Sequence, residues 1–266
     1  KFWNLKVLNF NQCKFLTEIP DVSDLPNLEK LSFQCCGNII TVHPSIGFLN
    51  KLKILNAYGC RKLTTFPPLN LTSLESLELS HCSSLENFPE ILGKMKNLSS
   101  LRLDKLTLKE LPVSFQNLVG LESLYLDNCE IGCFPSSIVV MPELSIVKAK
   151  NCKRWQWFKS EEYEEKVGSR VCSNVHKFCV KGCHLYDDFF STGFMQLGHM
   201  ETLCLRNNNF TFLPECIKEF QFLRRLDVSG CLNLQEIRGV PPNLKDFVAI
   251  ECISLSSSSS SMLLNQ

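Results

Sequence analysis

The pattern Leu-x-x-Leu-x-Leu-x-x-Cys returns along the whole of this chain, and no other feature constrains its fold as tightly. Leu74, Leu77, Leu79 and Cys82 form one clear copy, and Leu121, Leu124, Leu126 and Cys129 another. The last residue of the pattern falls at Cys13, Cys36, Cys60, Cys82, Leu106, Cys129, Cys152, Cys183, Asn208, Cys231 and Cys252. Successive differences are 23, 24, 22, 24, 23, 23, 31, 25, 23 and 21 residues. A unit of this length cannot bury its apolar side alone, so it must stack on its neighbours and produce a solenoid.

The period and the leucine spacing are those of leucine-rich repeats. Within each unit Leu-x-Leu alternates with period two, so it predicts a short strand with its leucines inward. The expected fold is an α/β leucine-rich-repeat solenoid, a horseshoe with a parallel sheet on its concave face. After the strand most units carry an apolar residue three positions past the ladder residue, as at Leu16, Leu63, Leu85 and Leu234. An apolar-proline pair follows: Ile19-Pro20, Phe66-Pro67, Phe88-Pro89, Leu111-Pro112, Phe134-Pro135 and Leu213-Pro214. Proline fixes φ and lacks a donor, so these pairs predict irregular turns, short helices and 3₁₀ pieces on the convex side.

Residues 1–255 read as one array of about eleven repeats by this pattern. Two places break the rhythm. The interval from Cys152 to Cys183 is long and predicts an insertion at 153–174, with Trp155, Trp157, Phe158 and the acidic run Glu161-Glu162-Tyr163-Glu164-Glu165. The second break is the unbroken serine run Ser256 to Ser261, from which 256–266 reads as a disordered tail. The chain starts at Lys1 inside a repeat and without an initiator methionine, so it reads as a segment of a longer protein.

Nine of the fifteen cysteines occupy the ladder position. That removes most of the signal for a disulfide scaffold and favours reduced, stacked thiols in a cytoplasmic or nuclear setting. Net charge is +1, so no global field points to nucleic acid. No apolar stretch reaches the roughly 18 residues of a membrane span. Phosphate-binding loops, nucleophile elbows and zinc-protease helices are missing, so neither catalysis nor a cofactor is expected. Cys172, His176, Cys179, Cys183 and His184 are chemically suited to zinc. Alternation sends Cys179 outward and Cys183 inward, which separates them. Asn70-Leu71-Thr72, Asn97-Leu98-Ser99 and Asn209-Phe210-Thr211 match the glycosylation triplet, which matters only in a secreted protein.

The outward strand positions are therefore the candidate partner-binding surface. They include Tyr58, Glu78, Arg102, Asp104, Tyr125 and Asp127, with Asn56 and Ser80 beside them. Further along come Lys148, Lys150, Lys177, Lys181 and Arg206, five cations on neighbouring strands. Clustered charge steers association with a protein of opposite sign.

The wording of the repeats is itself informative. Leu5-Lys6-Val7-Leu8-Asn9-Phe10, then Cys13, Leu16 and Ile19-Pro20-Asp21, resembles the opening repeats of plant intracellular immune receptors of the TIR, nucleotide-binding and leucine-rich-repeat class. So does Leu63-Thr64-Thr65-Phe66-Pro67-Pro68 with Leu74-Glu75-Ser76-Leu77-Glu78-Leu79. Val240-Pro241-Pro242-Asn243-Leu244, Cys252 and Ser254-Leu255 resemble the terminal repeat of these receptors. Extracellular plant repeats instead favour asparagine at the ladder and a glycine before Ile-Pro. The resemblance implies recognition of a pathogen effector or guarded host protein, and restraint of the receptor through its own nucleotide-binding and TIR domains. Those domains are not among these residues, so their activities do not belong to them. The alternative is an extracellular ectodomain that binds a peptide or glycan.

Overall fold

The computed structural model describes residues 2–131, 136–152 and 173–259. The chain divides into two compact units, Lys1–Ile131 with Met141–Leu144, and Gly132–Val140 with Ser145–Gln266. Each is a stretch of parallel β-solenoid with little helix.

In the first unit six strands lie side by side in chain order. They are β1 (Val7–Asn9), β2 (Lys30–Ser32), β3 (Ile54–Asn56), β4 (Ser76–Glu78), β5 (Ser100–Arg102) and β6 (Ser123–Asp127). The second unit holds β7 (Ile146–Lys150), β8 (Lys177–Lys181), β9 (Thr202–Cys204), β10 (Arg225–Asp227) and β11 (Asp246–Val248), also in chain order. The register follows the repeat without slippage: Leu8, Leu31, Leu55 and Leu77 pair in turn, as do Phe178, Leu203, Leu226 and Phe247. A one-residue slip would turn every leucine to solvent, so the buried face enforces that register. Leu77, Leu79, Leu101, Leu103, Leu124 and Leu126 are all buried, as their alternation predicts.

The ladder residues hold successive turns together. The thiol of Cys36 donates to the Phe10 carbonyl at 2.9 Å, Cys60 to Phe33 at 3.1 Å, Cys82 to Ala57 at 3.1 Å and Cys231 to Leu205 at 3.1 Å. In every case the acceptor lies three residues before the ladder position of the preceding repeat. Asn208 makes the equivalent bond to Val180 through its amide at 2.8 Å. Seven of the nine ladder cysteines are buried. Cys13 is exposed and Cys252 half-buried, because each has a stacked repeat on only one side among the described residues.

The residue before each ladder position has positive φ: Gln12, Cys35, Gly59, His81, Lys105, Asn128, Asn151, Gly182, Asn207, Gly230 and Glu251. This left-handed residue reverses the chain after the strand and turns the ladder side chain inward. Its amide can also donate across repeats, as Lys105 does to the Asp127 carbonyl at 2.8 Å.

The return path is heterogeneous. Short 3₁₀ helices span Pro44–Phe48, Val113–Asn117 and Glu215–Glu219. Pro112 and Pro214 stand at the caps of the last two in extended conformation, the stop-and-restart role expected of the apolar-proline pairs. Pro89 to Leu98 forms no helix. Two small parallel pairs add hydrogen bonds on this side, Glu18–Ile19 with Thr41–Val42 and Phe212–Leu213 with Glu236–Ile237. Packing is close where a 3₁₀ helix meets the next turn: a Cβ on Gly47 would lie 2.0 Å from the Pro68 carbonyl oxygen. In the second unit Phe189, Phe194, Phe210 and Phe220 are buried and Phe190 is half-buried, and their rings meet in edge or tilted contacts with centroids 5.0 to 5.4 Å apart.

The first residues of the serine tract are among those described. Residues 257–259 form a helical turn, Ser259 is buried, and its hydroxyl accepts the Ile237 amide at 3.1 Å. A serine can do this because its hydroxyl replaces a backbone partner for an edge strand. Residues 260–266 lie outside the described residues, as do Trp155, Trp157, Phe158, the acidic run at 161–165 and Cys172 of the insertion.

Candidate functional site

Alternation leaves three outward positions on each strand, six, four and two residues before the ladder residue. In the first unit the middle position forms a register-aligned row of Asn56, Glu78, Arg102 and Tyr125. Arg102 is the hub. Its Nη1 lies 3.4 Å from Asp104 Oδ2 and 3.9 Å from Asp127 Oδ2, and its Cζ sits 4.7 Å from the Tyr125 ring centroid. Arg102, Asp104, Tyr125 and Asp127 therefore form one cluster. The Asp104 Oδ1 is buried without a hydrogen-bond partner, which leaves an acceptor open beside a guanidinium.

The other two candidates of this unit are committed locally. Glu78 folds back to accept the Ser80 amide at 2.8 Å. Asn9, Asn56 and Asp227 make the same closure to the residue two positions on. Tyr58 packs on His81, with ring centroids 4.9 Å apart.

The second unit carries the basic group. Register pairs Lys150 with Lys181 and Lys148 with Cys179 across β7 and β8, and Lys177 with Thr202 across β8 and β9. All four lysines keep part of their surface in solvent, and Arg206 is exposed. Arg206 Nε stands 3.8 Å from Asp227 Oδ1, a carboxylate that also accepts the Ser229 hydroxyl at 2.7 Å. The five cations thus lie on three neighbouring repeats, four of them on β7 and β8 and Arg206 just beyond β9, where Asp227 partly neutralises it.

A thiol pair sits inside this basic group. Cys179 and Cys204 are direct register partners on β8 and β9, both half-buried, with Asp227 as the next partner along the row. The hydrogen bond from Cys179 draws the Cys204 thiol down to about 7, against the opposing effect of burial; the Arg206 amide and charge help. The same contact, followed by burial, pushes Cys179 well above its ordinary value. The cysteine and histidine spacing marks Cys179 as a candidate metal ligand and leaves Cys204 unmarked. The available signal was Thr202-Leu203-Cys204-Leu205, whose alternation already places Cys204 outward. Cys183, by contrast, is fully buried, and among the described residues no group of three metal-ligating side chains is assembled.

A family model described as disease resistance protein RPS4B-like, leucine-rich repeats, matches residues 70–262. TMV resistance protein N of Nicotiana glutinosa is 28% identical over 298 residues, covering 94% of this chain and 26% of its own length. Disease resistance protein RPS4B of Arabidopsis thaliana is 31% identical, covering 88% of this chain and 19% of its own length. Disease resistance protein RPP4 of the same plant is 34% identical over 92% of this chain and 18% of itself. The chain thus spans 26% or less of the length of these relatives. Among solved structures, the leucine-rich-repeat domain of the type III effector XopL superposes with a TM-score of 0.54 at 19% identity. That likeness covers 91% of this chain and 76% of the XopL domain, and it speaks to the fold alone.

Proposed function

The chain belongs to the leucine-rich-repeat family of RPS4B-like disease resistance proteins, and from that premise we propose that it is the protein-binding, autoregulatory segment of an intracellular plant immune receptor. Its work is recognition without catalysis, in the cytoplasm or nucleus. Its partner is an acidic protein surface, on a pathogen effector, a guarded host protein, or the nucleotide-binding or TIR domain of the same receptor. No helix among the described residues is long and apolar enough to cross a membrane.

The observation that supports this reading is the gathering of Lys148, Lys150, Lys177, Lys181 and Arg206 at outward positions of three neighbouring repeats. Lysines at an interface rim raise the encounter rate and its salt dependence more than they raise the final affinity. The Arg102 cluster offers a second, internally paired polar patch in the other unit, suited to orientation-dependent contacts.

The test changes Lys148, Lys150 and Lys181 together to Glu in the full-length receptor. Folding should survive, because none of the three side chains is buried. Loss of the response to an effector assigns the surface to recognition. A response without any effector assigns it to restraint. Wild-type behaviour in both respects rejects the basic face as the binding surface.

A further inference from the structure

Of the cysteines described, most point into the stack, where a thiol acts as a small apolar group. Cys179 and Cys204 differ from them in three ways. They sit on the solvent side of the sheet, they are direct register partners on adjacent strands, and each shifts the ionisation of the other. Neighbouring strands lie about 4.8 Å apart, within the roughly 4.4–6.8 Å between Cα atoms that a disulfide spans.

Their surroundings favour a thiolate. Lys148 pairs with Cys179 from β7. Lys177 and Lys181 stand two residues to either side of Cys179 on β8, and Arg206 lies two residues beyond Cys204. Asp227 on β10 is the one opposing carboxylate that the register places beside Cys204, and Arg206 lies against it. Cationic neighbours with partial exposure are the setting in which cysteines become reactive.

We propose that Cys179 and Cys204 form an oxidative modification site, a dithiol that peroxide converts into a disulfide between two adjacent repeats. The Cys204 thiolate attacks one oxygen of hydrogen peroxide and breaks the O–O bond. Hydroxide leaves and takes up a proton to become water, and Cys204 becomes a sulfenic acid. Cys179 then gives up its proton, and its sulfur attacks the Cys204 sulfur. The S–O bond breaks, and the departing oxygen leaves as a second water. Two thiols and one peroxide give one disulfide and two waters, with two electrons passing from sulfur to oxygen. Cys204 is the attacking thiol because it is the one drawn down, with the Arg206 amide and guanidinium beside it, and Cys179 the resolving one because it is pushed up.

This site goes beyond the binding role proposed above, and its test reads sulfur chemistry rather than binding. The reduced full chain is treated with hydrogen peroxide, then digested with trypsin and mapped by mass spectrometry. The expected product links segment 178–181 to segment 182–206, with fragment ions placing the bond at Cys204 rather than Cys183. At neutral pH iodoacetamide should label Cys204 at least ~10-fold faster than Cys179, given their opposite shifts. Cys179→Ala should halt the reaction at a sulfenic acid on Cys204, captured by dimedone, and should slow alkylation of Cys204. Cys179→Ser, which keeps a donor, should restore that alkylation rate in part. Circular dichroism confirms that each variant is folded, and the wild-type mapping stands without them. Equal labelling of the two thiols, or peroxide treatment of folded wild-type protein that leaves them unlinked, would overturn the proposal.

Discussion

The Asn208 side chain grips the repeat before it at three points, and Cys183 is the centre of that grip: Asn208 Oδ1 accepts the Cys183 amide at 3.0 Å. The same oxygen accepts the Leu185 amide at 3.2 Å, while Nδ2 donates to the carbonyls of Val180 and Leu205 at 2.8 and 2.9 Å. The thiols at the equivalent position of other repeats donate to a carbonyl but do not span this whole set. Asn208 is buried, so removing its amide leaves the Cys183 and Leu185 amides and the Val180 carbonyl short of a partner, while the Leu205 carbonyl keeps the Cys231 thiol.

Asn208→Ala should therefore cost about 3–5 kcal/mol, since each buried group left unpaired costs about 1–3 kcal/mol and some relaxation is expected. Asn208→Cys should cost about half as much, because a thiol can still reach the Val180 carbonyl as Cys82 reaches that of Ala57. Urea unfolding of the two variants measures the difference. Equal losses would mean that the acceptor side of the amide carries the whole effect, and that the thiol and amide ladders are not interchangeable.

A different kind of effect is expected at Lys105, whose φ is 54° although it carries a side chain. The left-handed region costs an L-residue roughly 1–2 kcal/mol relative to glycine. Gly59, Gly182 and Gly230 already occupy the equivalent place in three other repeats. Lys105 is exposed, and its amide bond to Asp127 needs no side chain. Lys105→Gly should thus stabilise the protein by about 0.5–1 kcal/mol, even after glycine's extra unfolded-state entropy is counted. A fall in the melting temperature would show that the lysine side chain contributes more than the backbone strain removes.

These two positions also mark what the sequence discloses and what it conceals. Strand placement was legible because it rests on a local rule: alternation puts Leu124 and Leu126 inside and Tyr125 and Asp127 outside. Gln12, Cys35, Lys105 and Glu251 conceal the left-handed turn, since none is a residue type that favours it. The turn is imposed by the ladder bond and the strand on either side, which no single repeat reveals. The return path was legible only as heterogeneous. Pairs as short as Ile19 with Val42 depend on how neighbouring turns stack. The same distinction runs through the site. Lys148 to Arg206 could be gathered by counting outward positions, because charge is a property of each residue. The Arg102–Asp127 contact and the Cys179–Cys204 pair belong to the register between strands. That information appears only when one repeat is laid against the next.

Burial of the ladder thiols has a consequence in alkali. Cys60, Cys82 and Cys231 are each pushed up to about 12, chiefly because burial penalises the thiolate. A free thiol in the unfolded chain loses its proton near 8.5. The folded state therefore holds these protons after the unfolded chain has released them, and rising pH favours unfolding. Their contribution is fully present below about pH 8 and is lost progressively as pH climbs from there through the folded values near 12. Each thiol contributes a slope of about 1.4 kcal/mol per pH unit within that window. Lysines and tyrosines titrate in the same range, so the informative measurement is a comparison with Cys82→Ala. The variant should start about 1–2 kcal/mol less stable near neutral pH, having lost a buried donor and a little volume. Its stability should then fall less steeply, so that the two stabilities, measured by urea unfolding, converge as pH rises from about 8, meet at about pH 9–10 and are reversed by about pH 10.5. Curves that stay parallel across that range would show that the Cys82 thiol ionises in the folded protein as easily as in water, and that it is not sealed within the stack.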